Sequence, residues 1–319
     1  MLDQQEIDKA VSILRKGGLV AFPTETVYGL GADASNPEAL RKIFAAKQRP
    51  VDHPLIVHLA DVRRLLSWAS EMSEEAVLLA QAFWPGPLTM IFKKAPSVSD
   101  LLTGGQDTIG LRIPDHPVAY ALLSAFGSGI AAPSANRFGR ISPTTAAAVQ
   151  EELGDSVDLI LKGGQCEVGV ESTIVDVSGE EYPVILRPGM ITAKQIEDVL
   201  QQSVMLSQQN SPRVSGSHES HYSPVTKTVL IKTDNIAGFL TKLSAGDLPV
   251  AVLSRRTQTT RQGVTLVAMP VDAKQYAHDL YATLRKLDKE NFRQIVIEAV
   301  PEESSWDAIR DRLQRATAG

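Results

Sequence analysis

The chain has 319 residues, 43% hydrophobic and 22% charged, an ordinary globular balance whose length suggests about two domains. Its single cysteine, Cys166, excludes a disulfide framework, and no apolar run approaches the roughly 20 residues that span a bilayer. Residues 1–200 carry 17 Lys and Arg against 25 Asp and Glu, and residues 201–319 carry 15 against 12, so neither part has the cationic excess of a nonspecific nucleic-acid binder.

In chain order, the N-terminus (MLDQQEIDKAVSILRKGG) alternates charged and apolar residues as an amphipathic helix does, not as a signal peptide does, and a soluble cytoplasmic protein is expected. Strands are predicted at 19–22, 55–59, 88–92, 109–113, 158–162, 173–177 and 183–187. Helices are predicted at 3–16, 37–47, 61–69, 73–83, 117–126, 144–153 and 192–201, from apolar spacings of three or four. Ser35 and Glu38 are expected to form a capping box for the 37–47 helix, with Pro37 in its first turn. The strands between 158 and 187 are too close for helical crossovers throughout, so the first domain, residues 1–202, is expected to be α/β with a mixed sheet. Residues 203–224 are rich in Ser, Gln, Gly and Pro and read as a linker. Residues 225–319, with strands at 229–232, 250–254, 264–269 and 294–299 and helices at 272–288 and 304–316, read as a smaller α/β domain.

The polar residues that could carry chemistry gather where strands end. FPTETVYGLGADA (22–34) puts Thr24, Glu25, Thr26 and Tyr28 at a strand's C-terminal edge, where open α/β sheets bind ligands. Gly29-Leu30-Gly31-Ala32-Asp33-Ala34 imitates a dinucleotide fingerprint. The acidic residue at the right distance, Asp52, sits between prolines, so a Rossmann cofactor site is rejected there. Lys47 and Arg49 follow a helix as a pair of cations suited either to the helix dipole or to a polyphosphate. Arg112, in a strand with Thr108 on the same face, needs an anionic partner, either a protein carboxylate or a ligand's.

WPGPLT (84–89) reads as a rigid turn. IAAPSANRFGRISPTT (130–145) has small residues that let a ligand approach the backbone, and it offers Ser134 and Asn136. Ser142 reads as the cap of the next helix, whose amides could receive a phosphate. Glu171, Ser172 and Thr173 start one strand and Arg187 ends another. His218 and His221 have i, i+3 spacing but lack the further ligands a zinc site needs, so no metal site is assigned. Cys166 has no partner histidine to make it a nucleophile. Cations at element ends in an acidic domain, without a nucleophile or carboxylate pair, suit transfer at phosphorus by positioning and charge neutralisation.

These segments together carry a resemblance. FPTETVYGLGADA, the Lys-x-Arg of AKQRP, PLIVH, WPGPLT, DTIGLRIP, APSAN, SPT, GVESTIVD and LRPG, in that order, resemble the YrdC-like domain over residues from about 8 to 200. SPRVSGSHESHYSP and the domain after it resemble the long form of the threonylcarbamoyl-AMP synthase family. The resemblance implies a twisted mixed open sheet with a cationic cavity, and a smaller Rossmann-like C-terminal domain. It also implies a nucleotidyltransferase that makes threonylcarbamoyl-AMP and pyrophosphate from ATP, with its Mg²⁺, L-threonine and bicarbonate, for modification of tRNA next to the anticodon. Downstream transfer proteins would be partners, and tRNA a candidate one.

By motif, Thr26, His58, Arg112, Ala132, Ser172 and Thr173 would line the threonine side. Lys47, Arg49, Thr108, Ser134, Asn136, Ser142, Arg187 and the linker's Ser223 would hold ATP, with Lys47 and Arg49 neutralising charge on the phosphates. His53 stands where the family often carries Asn, and its ring N–H could serve the nucleotide instead. The alternatives are another carbamoyl-adenylate-forming enzyme or a double-stranded RNA-binding module.

Overall fold

The computed structural model of the chain describes residues 3–179, 182–207, 211–216, 221–256 and 261–318. The chain divides into two compact units, Met1–Phe138 with Ser142–Ser217, and Gly139–Ile141 with His218–Gly319.

In the first unit the strands are β1 (Val20–Phe22), β2 (Gly29–Asp33), β3 (Ile56–His58), β4 (Leu88–Lys93), β5 (Thr108–Arg112), β6 (Ile130–Ala131), β7 (Leu159–Ile160), β8 (Thr173–Asp176), β9 (Val184–Arg187) and β10 (Met205–Leu206). They form one sheet in the order β10-β9-β8-β4-β5-β3-β6-β2-β1-β7. Parallel pairs such as β3–β5 and β4–β8 alternate with antiparallel pairs such as β4–β5 and β8–β9, so the sheet is mixed. Its helices are α1 (Gln4–Arg15), α2 (Pro37–Lys47), α3 (Glu74–Phe83), α4 (Asp100–Thr103), α5 (Pro117–Phe126), α6 (Ala146–Leu153) and α7 (Ala193–Leu200). The amphipathic faces of α1 and α5 bury Ile7, Leu14, Leu122 and Phe126 in one cluster with Val20 and Phe22. A larger cluster takes in Leu40 and Ile43 of α2 with Leu111 and Val57 of the sheet.

Several local expectations differ from what the chain does. The cap of α2 is Asn36, whose side chain accepts the amides of Glu38 and Ala39; Ser35 does not cap it. Asn36 places its carbonyl where the first orphan donors point. Residues Val62–Ser67 form a 3₁₀ helix, shorter than the α-helix expected at 61–69. Gly29 and Gly31 lie in β2, which pairs antiparallel with β1, not in a loop leading to a helix. A Cβ on Gly31 would sit 2.8 Å from Phe22 and 2.9 Å from the Val20 carbonyl, so the glycine permits close packing. The region read as a linker contains β10, which pairs parallel with β9 at the sheet edge.

The second unit has β11 (Thr228–Ile231), α8 (Thr233–Lys242), β12 (Val250–Ser254), β13 (Val264–Ala268), α9 (Ala273–Lys289), β14 (Gln294–Glu298) and α10 (Asp307–Ala316). Its four strands are all parallel in the order β11-β14-β12-β13, a Rossmann-like arrangement. α8 was not predicted: its Gly238, Thr and Asn residues have weak helical propensity, and burial of Ile236 and Leu240 one turn apart holds it. At the strands' C-terminal edge the Glu298 carboxylate accepts from Thr233 Oγ1 (2.8 Å), Ser254 Oγ (2.5 Å) and the amides of Arg255 (2.7 Å) and Arg256 (3.2 Å). An internal anion thus occupies the place where such sheets ordinarily take a ligand.

Candidate active site

The β1–β2 connection builds the first half of the site. Thr24 Oγ1 accepts the amides of Thr26 and Val27, both at 3.2 Å, and donates to the Val27 carbonyl at 2.7 Å, which closes a tight turn. The Thr24 and Thr26 hydroxyls lie 2.8 Å apart. That turn aims Thr26 Oγ1 at Arg112, which donates to it from Nη1 at 2.9 Å and to the Gly86 carbonyl from Nε at 3.2 Å. Arg112 Nη2 lies 2.7 Å from Glu25 Oε1, both side chains buried. Of the two partners the sequence left open for Arg112, the structure supplies the protein carboxylate.

Strand register sets His58 directly opposite Arg112 in the β3–β5 pair. Phe22 meets its ring edge-on, and burial, with the Arg112 charge second, pushes its pKa down to about 3. His58 is a neutral imidazole whose buried Nδ1 has no hydrogen-bond partner among the described residues. Ala132, just past β6, donates its amide to Ile56 at 2.9 Å, and a Cβ on Gly29 would stand 3.1 Å from its methyl.

The cations form the other half. α2 ends where Gln48 turns left-handed (φ 53°), which releases Lys47 and Arg49 on either side of the turn. Lys47 Nζ donates to the carbonyls of Ser134 and Asn136, both at 2.6 Å, so the SAN loop is tied to α2. Burial, and then the Arg49 charge, pushes the Lys47 pKa well below the usual lysine range. Arg49 Nη2 donates to the Pro54 carbonyl and to Ser215 Oγ, both at 2.9 Å. Arg187 donates to the Ser172 carbonyl from Nε (3.1 Å) and Nη2 (3.0 Å), and from Nη1 to the Ser215 carbonyl at 2.8 Å. Ser172 Oγ in turn lies 2.8 Å from Thr89 Oγ1. Thr108 lines a small pocket with Gln106, Ile56, Val214 and Ser215, which places it beside the same linker residue.

Other predicted residues stand differently. Ser142 does not cap α6; Thr145 does, and Ser142 Oγ donates to Glu171 Oε1 at 2.6 Å. The Thr173 hydroxyl donates to the Ile191 carbonyl at 2.7 Å and accepts the Ile191 amide at 3.1 Å, which ties the start of β8 to the turn after β9. The Asn136 amide donates to the Arg137 carbonyl at 2.7 Å. His53 packs edge-on to Phe138, with Nε2 3.8 Å from Asp52. Ser223 belongs to the second unit, where its amide donates to Gly139 at 2.9 Å. His218 lies outside the described residues.

Cys166 is a buried thiol pushed up to about 12 by burial, unsuited to nucleophilic attack. Ser215 and Thr89 were missed by the sequence reading: one sits in a stretch whose composition says only linker, the other in a turn read as structural. Among the described residues no group of three His, Cys, Asp or Glu could hold a metal ion, and no helix is long and apolar enough to cross a membrane.

Residues 12–189 match the Sua5_yciO_yrdC family, described as telomere recombination, and residues 191–318 match Sua5_C, described as the threonylcarbamoyl-AMP synthase C-terminal domain. The chain belongs to the long-form Sua5 family. Within that family it is 35% identical to the threonylcarbamoyl-AMP synthase of Pyrococcus abyssi, over 99% of this chain and 95% of the relative. It is 38% identical to that of Bacillus subtilis, over 98% and 93%. A crystal structure of P. abyssi Sua5 complexed with L-threonine superposes with a TM-score of 0.89 at 35% identity, covering 99% of this chain and 95% of that one. Family membership therefore extends over both units.

Proposed function

We propose that the chain is an L-threonylcarbamoyladenylate synthase, forming threonylcarbamoyl-AMP and pyrophosphate from ATP, L-threonine and bicarbonate. The observation that carries this reading is that Lys47, Arg49 and Arg187 are buried side chains that tie the Ser134–Asn136 loop, Ser172 and Ser215 together, in the same unit as the Thr26–Arg112–His58 cluster. Two chemistries thus share one fold: cations for phosphates and hydrogen-bonding groups for an amino acid. The RNA-binding alternative fits less well, since Lys47, Arg49, Arg112 and Arg187 expose only 2%, 7%, 5% and 4% of their surface.

Bicarbonate condenses with the threonine amine, losing water, to give an N-carboxylate. One of its oxygens attacks the α-phosphorus of ATP, the bond to the bridging oxygen breaks, and pyrophosphate leaves. Lys47 and Arg49 neutralise charge gathering on the phosphates, while Arg187 orders the opposite side through Ser172 and Ser215. The free Nδ1 of His58 offers an acceptor to the threonine hydroxyl or amine, and Thr26 and Arg112 orient the amino acid. With no cluster of three or more His, Cys, Asp or Glu among the described residues, Mg²⁺ would enter on ATP's own phosphates and water, where it would supply charge neutralisation beside Lys47 and Arg49. The product is a labile mixed anhydride, which suits prompt hand-over to the proteins that modify tRNA in the cytoplasm.

Mass spectrometry of a reaction with ATP, L-threonine and ¹³C-bicarbonate should show a labelled threonylcarbamoyl adenylate. Pyrophosphate release that persists without threonine and bicarbonate would overturn the reading.

A further inference from the structure

Three residues from the middle of the first unit's sequence, Gly139–Ile141, belong to the second unit. They lie in the chain between Asn136 and Ser142, both assigned to the nucleotide by the reading above. Each is held. The Ser223 amide donates to the Gly139 carbonyl at 2.9 Å, Arg285 Nη2 donates to the Ile141 carbonyl at 2.7 Å, and Arg140 Nη2 lies 2.9 Å from Asp288 Oδ2. Asp288 also accepts the amides of Val225 at 2.9 Å and Thr226 at 2.7 Å, where the linker enters β11.

Arg285 and Asp288 share a face of α9 with Tyr281, at spacings of four and three. Tyr281 stacks on Tyr222, ring centroids 5.8 Å apart and planes 26° apart. Tyr222 has φ 62°, a left-handed conformation that a bulky side chain keeps only where its surroundings over-determine it. The fully buried Arg312 guanidinium of α10, 5.2 Å from the ring centroid, completes that hold. One helical stripe therefore gathers the excursion 139–141 and the linker's end together.

We propose that this face of α9, with Asp288 as its hub, is a positioning element for the nucleotide loop, so that the second unit sets ATP affinity through the peptide chain. This rests on the synthase reading. Tethering the middle of the loop restricts where Asn136 and Ser142 can move, and the entropy of ordering them is lost before ATP arrives and not at its expense. Asp288 is the sensitive point because its one carboxylate serves Arg140, Val225 and Thr226.

Arg140→Gln, Asp288→Asn, the double variant and Arg140→Lys, all in the full chain, would be titrated calorimetrically with α,β-methylene-ATP and separately with L-threonine. We expect roughly tenfold weaker nucleotide binding in each neutralised variant, a size typical of coupling between sites. Threonine affinity should change little, the double variant should be no worse than Asp288→Asn alone, and Arg140→Lys should recover most of the loss. Amide exchange at Val225 and Thr226 should quicken in Asp288→Asn. Unchanged nucleotide affinity, or parallel losses for nucleotide and threonine that follow melting temperature, would overturn the inference. A wild-type chain that binds neither ligand would overturn the synthase reading itself, which is a different failure.

Discussion

Arg49 and Arg187 meet at one linker residue: Arg49 donates to the Ser215 hydroxyl at 2.9 Å and Arg187 to the Ser215 carbonyl at 2.8 Å. Two guanidiniums thus converge on one serine, one on its hydroxyl and one on its carbonyl. Binding of a polyphosphate at this point should stabilise the fold by mass action, about 2.7 kcal/mol at a hundredfold excess over Kd. ATP should therefore raise the melting temperature of the wild type. In Arg49→Met the shift should shrink to a small fraction, as scanning calorimetry would show.

Replacing Lys47 or Arg49 by Ala should lower pyrophosphate release by roughly 10³-fold, the scale at which cationic clamps act in phosphoryl transfer. Lys47→Ala carries a second signature. It also removes both hydrogen bonds to the SAN loop. The KM for ATP should therefore rise as well as kcat falling, and near-normal turnover in both variants would contradict the assigned roles.

The buried Glu25–Arg112 pair gives a threonine-specific prediction. Glu25→Gln strips Arg112 of its counter-charge, and breaking such a buried pair costs about 3–5 kcal/mol. A ligand carboxylate at Arg112 would offset part of that loss. L-threonine should thus raise the melting temperature of Glu25→Gln more than that of the wild type. An equal or smaller rise would remove Arg112 from the carboxylate subsite.

His58 predicts an acid-side slope in stability. The folded ring is held down to about 3 by burial and then by Arg112, whereas an unfolded ring titrates near 6.5. Between those values the unfolded state binds the extra proton, so stability is lost as pH falls through that window. His58→Asn should be less stable than wild type at pH 7. The gap in urea midpoint should narrow toward pH 4.

Gly189→Ala tests the packing behind the site. A Cβ there would stand 2.2 Å from the Thr173 amide nitrogen and 2.5 Å from its hydroxyl, and neither can retreat without breaking the bonds to Pro87 and Ile191. Overpacking a well-packed site typically costs about 1–3 kcal/mol. A lowered melting temperature together with lost activity is expected, because Ser172 and Arg187 flank the same turn.

Periodicity located most helices of the first unit to within a residue or two, because an amphipathic stripe such as that of α1 is a local property of the chain. The cation positions were legible for the same reason, each lying at the end of a predicted element. Three strands of the first unit, β2, β6 and β10, were not. β6 is two residues long, and β2 hides in a glycine-rich motif that resembles a loop until β1 pairs with it.

What the sequence determined by itself was therefore the α/β class, the linker's composition and, through its ordered motifs, the family. Only tertiary structure decided partners: Glu25 for Arg112, Glu171 for Ser142, Ile191 for Thr173 and one linker serine for two arginines. Each of those pairs lies far apart in the chain or across a turn whose geometry no local pattern specifies. Hydrogen bonds and ion pairs form between atoms that folding brings within 3 Å or so, and spacing along a sequence carries no such distance.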